Sequence, residues 1–74
     1  MEQEIILDVR GLEPPEPMEH VLEALSHLEK NQRLRVVIDR EPRPLYRILD
    51  NNGFTHTIHP RADFLYELLI SHKV

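Results

Sequence analysis

The sequence contains no cysteine. That absence removes disulfides, thiolate metal sites, a cysteine nucleophile and a persulfide carrier together. Small secreted domains usually rely on such staples, so a cysteine-free chain of this size is expected in a reducing, cytoplasmic setting. Glycine is nearly as scarce: Gly11 and Gly53 are the only two, too few for a glycine-rich phosphate loop. No apolar run approaches the roughly 20 residues of a membrane span, and the start, Met1-Glu2-Gln3-Glu4, is acidic where a signal peptide would be basic. An excess of bases is missing too. The net charge is -4, which disfavours nucleic acid as a partner because phosphate binding needs a dominant basic face.

What remains is a globular composition, 41% hydrophobic and 30% charged, with no linker, repeat or low-complexity tract. Residues 1–74 are expected to form one domain, and a chain this short buries only roughly 60–65% of its unfolded surface. The charge is divided unevenly. Residues 1–31 hold eight acids against two bases, net -6, and residues 32–74 hold seven bases against five acids, net +2. A local anion site around the arginines is therefore still compatible with the acidic total.

Ile5, Leu7 and Val9 alternate with Ile6, Asp8 and Arg10, the period of a half-buried strand. Gly11 permits a turn, and Pro14-Pro15-Glu16-Pro17 suits a helix entrance, where the missing proline N–H is not needed. Met18, Val21, Leu22, Leu25 and Leu28 follow at helical spacing. The spacing predicts a first helix to about Lys30, with Glu16 and Glu19 at its start and Lys30 at its end complementing the dipole. Leu34, Val36 and Ile38 mark a second strand, and strand–helix–strand order calls for a parallel pair with a right-handed crossover.

Asp39-Arg40-Glu41-Pro42-Arg43-Pro44 repeats the logic of the first turn and leads into Leu45, Tyr46, Ile48 and Leu49. Gly53 suits the left-handed cap that ends this second helix. Phe54 to His59, a turn at 60–62, and Asp63 to about His72 read as a hairpin. Its second strand is apolar on both sides and should be interior to the sheet. The expected fold is an α+β two-layer sandwich, β-α-β-α-β-β, with both helices on one face of a mixed four-stranded sheet ordered 1-2-4-3.

This layout, with Leu7-Asp8, Gly11-Leu12, Pro15-Glu16-Pro17 and the helical Ala24-Leu25, resembles the TusA/SirA sulfur-carrier superfamily, whose members open the first helix with Cys-Pro-x-Pro. Pro14 stands where a sulfur carrier has its cysteine, so persulfide chemistry does not carry over. Closer still is the similarity to a cysteine-less branch of that superfamily without assigned function. It carries Asp-x-Arg-x-Leu-x-Pro-Pro (here Asp8, Arg10, Leu12, Pro14, Pro15) and Asp-x-x-Pro-x-Pro-Leu-Tyr (here Asp39, Pro42, Pro44, Leu45, Tyr46). The resemblance implies a fold and a relationship rather than a reaction.

Ligands of open α/β sheets favour the C-terminal strand edge beside helix N-termini. That edge should gather Arg10, Glu13, Pro14, Pro15, Glu16, Asp39, Arg40, Glu41, Arg43 and Tyr46. One reading is an anion or partner site in which Arg10, Arg40 or Arg43 supplies donors. The plainer alternative pairs Arg10 with Asp39 across the strands, lets Asp39 accept backbone N–H groups of the turn that follows it, and gives Tyr46 a packing role. Glu13, Glu16 and Asp39 could also be taken as acid–base carboxylates, or simply as solvated acids at helix starts.

Metal ligation by His20 and His27 with Glu16 and Glu23 lacks the tighter spacing of structural sites. His56 and His59, three apart on a strand, should face opposite ways, with His56 leaning inward and satisfied by a neighbour. No metal, cofactor or catalytic residue is expected. The open sheet face, with Ile6, Val37, Leu65 and Leu69 among Glu4, Arg33, Arg35 and Glu67, is a second candidate docking surface. The expected function is a small non-enzymatic binding or adaptor module that engages a protein partner or small anion, with neither nucleic acid nor membrane as partner and self-association left open. An accessory in sulfur or redox metabolism that docks on a cysteine-bearing carrier or enzyme is the alternative, and an acid–base enzyme comes third.

Overall fold

Six elements follow from the two hydrophobic periods: β1 (Gln3–Asp8), α1 (Glu16–Ser26), β2 (Gln32–Ile38), α2 (Arg43–Asn51), β3 (Phe54–Pro60) and β4 (Tyr66–His72). The computed structural model describes residues 3–73; Met1 and Glu2, half of the acidic start, and Val74 lie outside the described residues. The sheet order is β1-β2-β4-β3. β1 runs parallel to β2 with Ile5 opposite Leu34 and Leu7 opposite Val36. β4 is antiparallel to both of its neighbours, so Leu68 faces Val36 on one side and Ile58 on the other. The fold class, the sheet order and the interior place of β4 are as expected.

One face of the sheet carries the core. Leu34, Val36, Ile38, Leu68 and Ile70 meet Val21 and Leu25 of α1 and Leu45 and Leu49 of α2, all buried, while no polar or charged side chain is fully buried among the described residues. The opposite face stays open, which is why Arg33, Arg35 and Val37 of β2 are half-buried while Leu34, Val36 and Ile38 between them are buried.

Two boundaries differ from expectation. α1 stops at Ser26 rather than near Lys30. The Ser26 hydroxyl donates to the carbonyl of Glu23 at 2.6 Å, and the N–H groups of His27 and Leu28 bond three residues back, to Ala24 and Leu25, tightening and ending the last turn. Residues 29–32 then close their own turn, with Gln32 N–H donating to Glu29 O and Glu29 N–H donating to Gln32 Oε1. Lys30 sits in that turn, and α1 has no base in its last turn. Leu28 reaches the core from outside the helix, so its helical spacing gave a helix one turn too long.

β4 begins at Tyr66 rather than Asp63, and β3 extends to Pro60. Arg61 N–H donates to Leu65 O at 2.8 Å and Phe64 N–H donates to Arg61 O at 3.2 Å, which curls residues 61–65 into a closed loop. Phe64 therefore takes φ = 66° and is 90% exposed, and Leu65 precedes the strand instead of lying on its open face. Gly53, at φ = 82° after α2, is in the expected left-handed cap position.

Candidate functional site

Parallel pairing of β1 and β2 brings the β1–α1 and β2–α2 loops side by side at one end of the sheet. Asp39 fastens them: its Oδ2 accepts the Gly11 N–H at 3.0 Å, and Gly11, at φ = 77°, makes the bend that presents this N–H. Asp39 thus bonds across to the other loop rather than to its own turn. Between the loops and the first turns of the two helices lies a cleft of about 380 Å³. Its lining includes Pro14, Pro15, Pro17, Pro42 and Pro44, five of the six prolines in the chain, with Leu12, Met18, Val21, Ile38 and Leu45 beneath and Asp39, Arg40 and Glu41 along one wall. A smaller cavity of about 290 Å³ lies further along between the helices, bordered by Leu22, Leu25, Ile48 and Phe54.

Of the residues expected at this edge, Pro14, Pro15, Asp39, Arg40 and Glu41 line the cleft; Arg10, Glu13, Glu16, Arg43 and Tyr46 do not. The Arg10–Asp39 cross-strand pair does not form. Arg10 instead folds onto Asp8, two residues back on the same face of the chain, with Nη2 at 2.6 Å from Oδ2 and Nε at 2.9 Å from Oδ1. Arg43 pairs with Glu41 at 3.1 Å, whose other oxygen accepts the Tyr46 hydroxyl at 3.2 Å. Burial and the Glu41 carboxylate push the Tyr46 phenol up to about 12. Arg40 has no ion pair among the described residues and is the arginine of this edge left with open donors.

The helix starts offer an anion little. Pro17 and Pro44 lack N–H groups, Glu16 N–H is bonded to Glu13 O, and Arg43 and Leu45 N–H are bonded to Glu41 O and Pro42 O. Glu13 and Glu16 are exposed and stand apart from the cleft lining, so three acids do not converge on one reacting atom. Among the described residues no group of three or more His, Asp or Glu is arranged to hold a metal ion. His56 stacks on Tyr46 with ring centroids 4.7 Å apart and 6° between planes; its Nδ1 is buried without a hydrogen bond, 3.7 Å from Asp50 Oδ1. The neighbour expected to satisfy it supplies a stacked ring instead.

The open sheet face is more charged than its apolar residues suggested. Glu4 accepts from Arg33 at 3.2 Å and from Arg35 at 3.1 Å, Arg35 also donates to Glu67, and Arg61 lies 3.4 Å from the second Glu67 oxygen. These bridges run across β1, β2 and β4 over the half-buried Val37 and Leu69, leaving Ile6 as the outlying apolar side chain at 65% exposure. The Arg35 guanidinium holds the Glu4 carboxyl below its usual range.

Contact with Arg10 lowers the Asp8 carboxyl to about 2 from an ordinary 3.8. The folded chain thus prefers ionised Asp8, so this contribution is present above the ordinary value and is lost as pH falls through about 2. Arg10→Met is expected to return the Asp8 carboxyl toward 3.8 in a carbon-detected NMR titration; an unchanged midpoint would mean that Arg10 is not its partner.

Sequence reasoning did not reach Pro17, Met18, Pro42 and Pro44 as site residues. The signal was the doubled proline turn, read there as two helix entrances rather than as two walls of one cleft. No helix among the described residues is long and apolar enough to cross a membrane. No curated protein and no solved structure matches the chain. The family model described as "Uncharacterized conserved protein (DUF2249)" matches residues 6–72, and the chain belongs to that family.

Proposed function

We propose that this chain is a small, non-enzymatic, cytoplasmic binding or adaptor module, TusA-like in layout and lacking the sulfur-carrying cysteine, which engages a protein partner through the proline-lined cleft. The observation that carries this reading is the convergence of five prolines on one cleft of about 380 Å³ between two helix starts. A proline wall is apolar and already rigid, so a partner side chain entering it orders little that was free. Arg40 and Asp39 on the rim give the entering group orientation. A free anion is the weaker candidate ligand, since Arg10 and Arg43 are held by Asp8 and Glu41.

One observation favours the accessory role as a second reading. Pro14, at the position a carrier's cysteine would take, lines the cleft. A partner shaped for the persulfide-bearing edge of a carrier would meet the same rim here without the thiol. A photo-crosslinking amino acid at position 40, compared with one at position 33 on the sheet face, tests the proposed surface in cells. Partner adducts from position 40 alone support the cleft; adducts from position 33 alone would move the site to the sheet.

A further inference from the structure

We infer that two copies of this chain associate about a two-fold axis, each inserting Phe64 into the proline-lined cleft of the other. The inference rests on the reading of that cleft as a docking site, and it names the occupant. Phe64 combines two unfavourable features: a bulky aromatic side chain at φ = 66° and 90% exposure. Non-glycine residues in this backbone region are uncommon, and those that persist are held there by surrounding structure, often for function.

The loop around Phe64 is held firmly. Leu65 N–H donates to Asp63 Oδ1 at 3.3 Å, Arg61 Nη2 donates to Asp63 Oδ2 at 2.8 Å, and two backbone bonds close residues 61–65. An exposed aromatic on a pre-ordered loop is the form taken by an interface anchor.

Knob and socket share one end of the molecule. Tyr66, at the base of the loop, pairs with Ile38, and Ile38 lines the cleft; Asp63 lies near enough to Arg10 for its charge to act there. A two-fold axis through this end therefore sets each loop over the other copy's cleft, and one closed arrangement covers both apolar features. The volume, about 380 Å³, admits a benzyl group, and the wall contains no aromatic side chain of its own. Charge agrees in part: Arg40 on the cleft wall has no carboxylate partner among the described residues, and Asp63, next to the entering Phe64, pairs with Arg61 yet keeps about half of its side chain exposed to accept a second donor.

Sedimentation velocity over a wide concentration range tests this with wild type, Phe64→Ala, Pro44→Glu and an equimolar mixture of the two variants. The wild-type protein is expected to move from its 8.8 kDa monomer to twice that mass. Each variant alone should associate ~30-fold or more weakly. In the mixture, the intact cleft of Phe64→Ala meets the intact Phe64 of Pro44→Glu, and heterodimer should return. A wild-type protein that stays monomeric, variants that dimerise like wild type, or a mixture that recovers nothing would each overturn the inference. A monomer that still crosslinks a different protein from position 40 removes the dimer and leaves the cleft reading standing; variants that dimerise normally with no adduct from position 40 remove both.

Discussion

Replacing Leu68 by alanine should cost about 2–5 kcal/mol of stability, the range of leucine truncations in closed cores. Leu68 has no exposed surface. It lies mid-strand in β4, which has paired neighbours on both edges, and it faces Val36 and Ile58 beneath the helix layer. Its neighbours are fixed from every side, leaving little room for the site to collapse. A domain of 74 residues has on the order of 4–11 kcal/mol of stability in total, so this one side chain holds a large share. With a urea slope of roughly 1 kcal/mol per M for so small a protein, the midpoint should fall by about 2 M or more. Ile6→Ala, on the edge strand and 65% exposed, should change stability by less than about 0.5 kcal/mol. Equal midpoints for the two variants would show that β4 is not the centre of the sheet.

The contrast between these two leucine-like positions was legible from the order of residues alone. Alternation in residues 5–10 and 33–39 marked strands with one face covered, and the two-sided apolar run near the C-terminus marked the strand with neighbours on both edges. Chain connectivity then left few arrangements. What escaped was set by local hydrogen bonds that no periodicity records. Leu28 keeps helical spacing, yet the Ser26 hydroxyl ends the helix before it and the Gln32 side chain closes a separate turn after it. Phe64 and Leu65 look like strand, and the bonds from Arg61 to Leu65 and Asp63 take them out of it.

The site was half legible for a similar reason. Asp8 and Arg10 are two apart and share a face, so the nearer carboxylate captures the arginine before Asp39 can. Asp39 is left to bond Gly11 and draw the two loops together. Each proline turn could be seen singly; that they form opposite walls depends on the parallel register of β1 with β2.

The cleft reading makes its own strong claim about Pro44→Glu. Pro44 is exposed, in the first turn of α2 and on the cleft wall. A glutamate there is compatible with the helix, since acids are favoured at helix starts and the N–H it restores lies in the first turn, where a partner is not required. The fold should therefore survive. Binding should not, because an occupant of the cleft would bury that carboxylate without a partner. Leaving a charge unpaired in an interface costs about 2–5 kcal/mol, which is roughly 30- to 4,000-fold in affinity.

Arg33→Glu breaks the bridge to Glu4 on the sheet face and leaves the cleft as it is, so it serves as the opposing control. The most direct measurement is the dissociation constant, by calorimetry, of the protein crosslinked from position 40 against wild type, Pro44→Glu and Arg33→Glu. A cleft-binding module predicts at least ~30-fold weaker binding for Pro44→Glu and wild-type affinity for Arg33→Glu. Wild-type affinity for Pro44→Glu with loss in Arg33→Glu would contradict it.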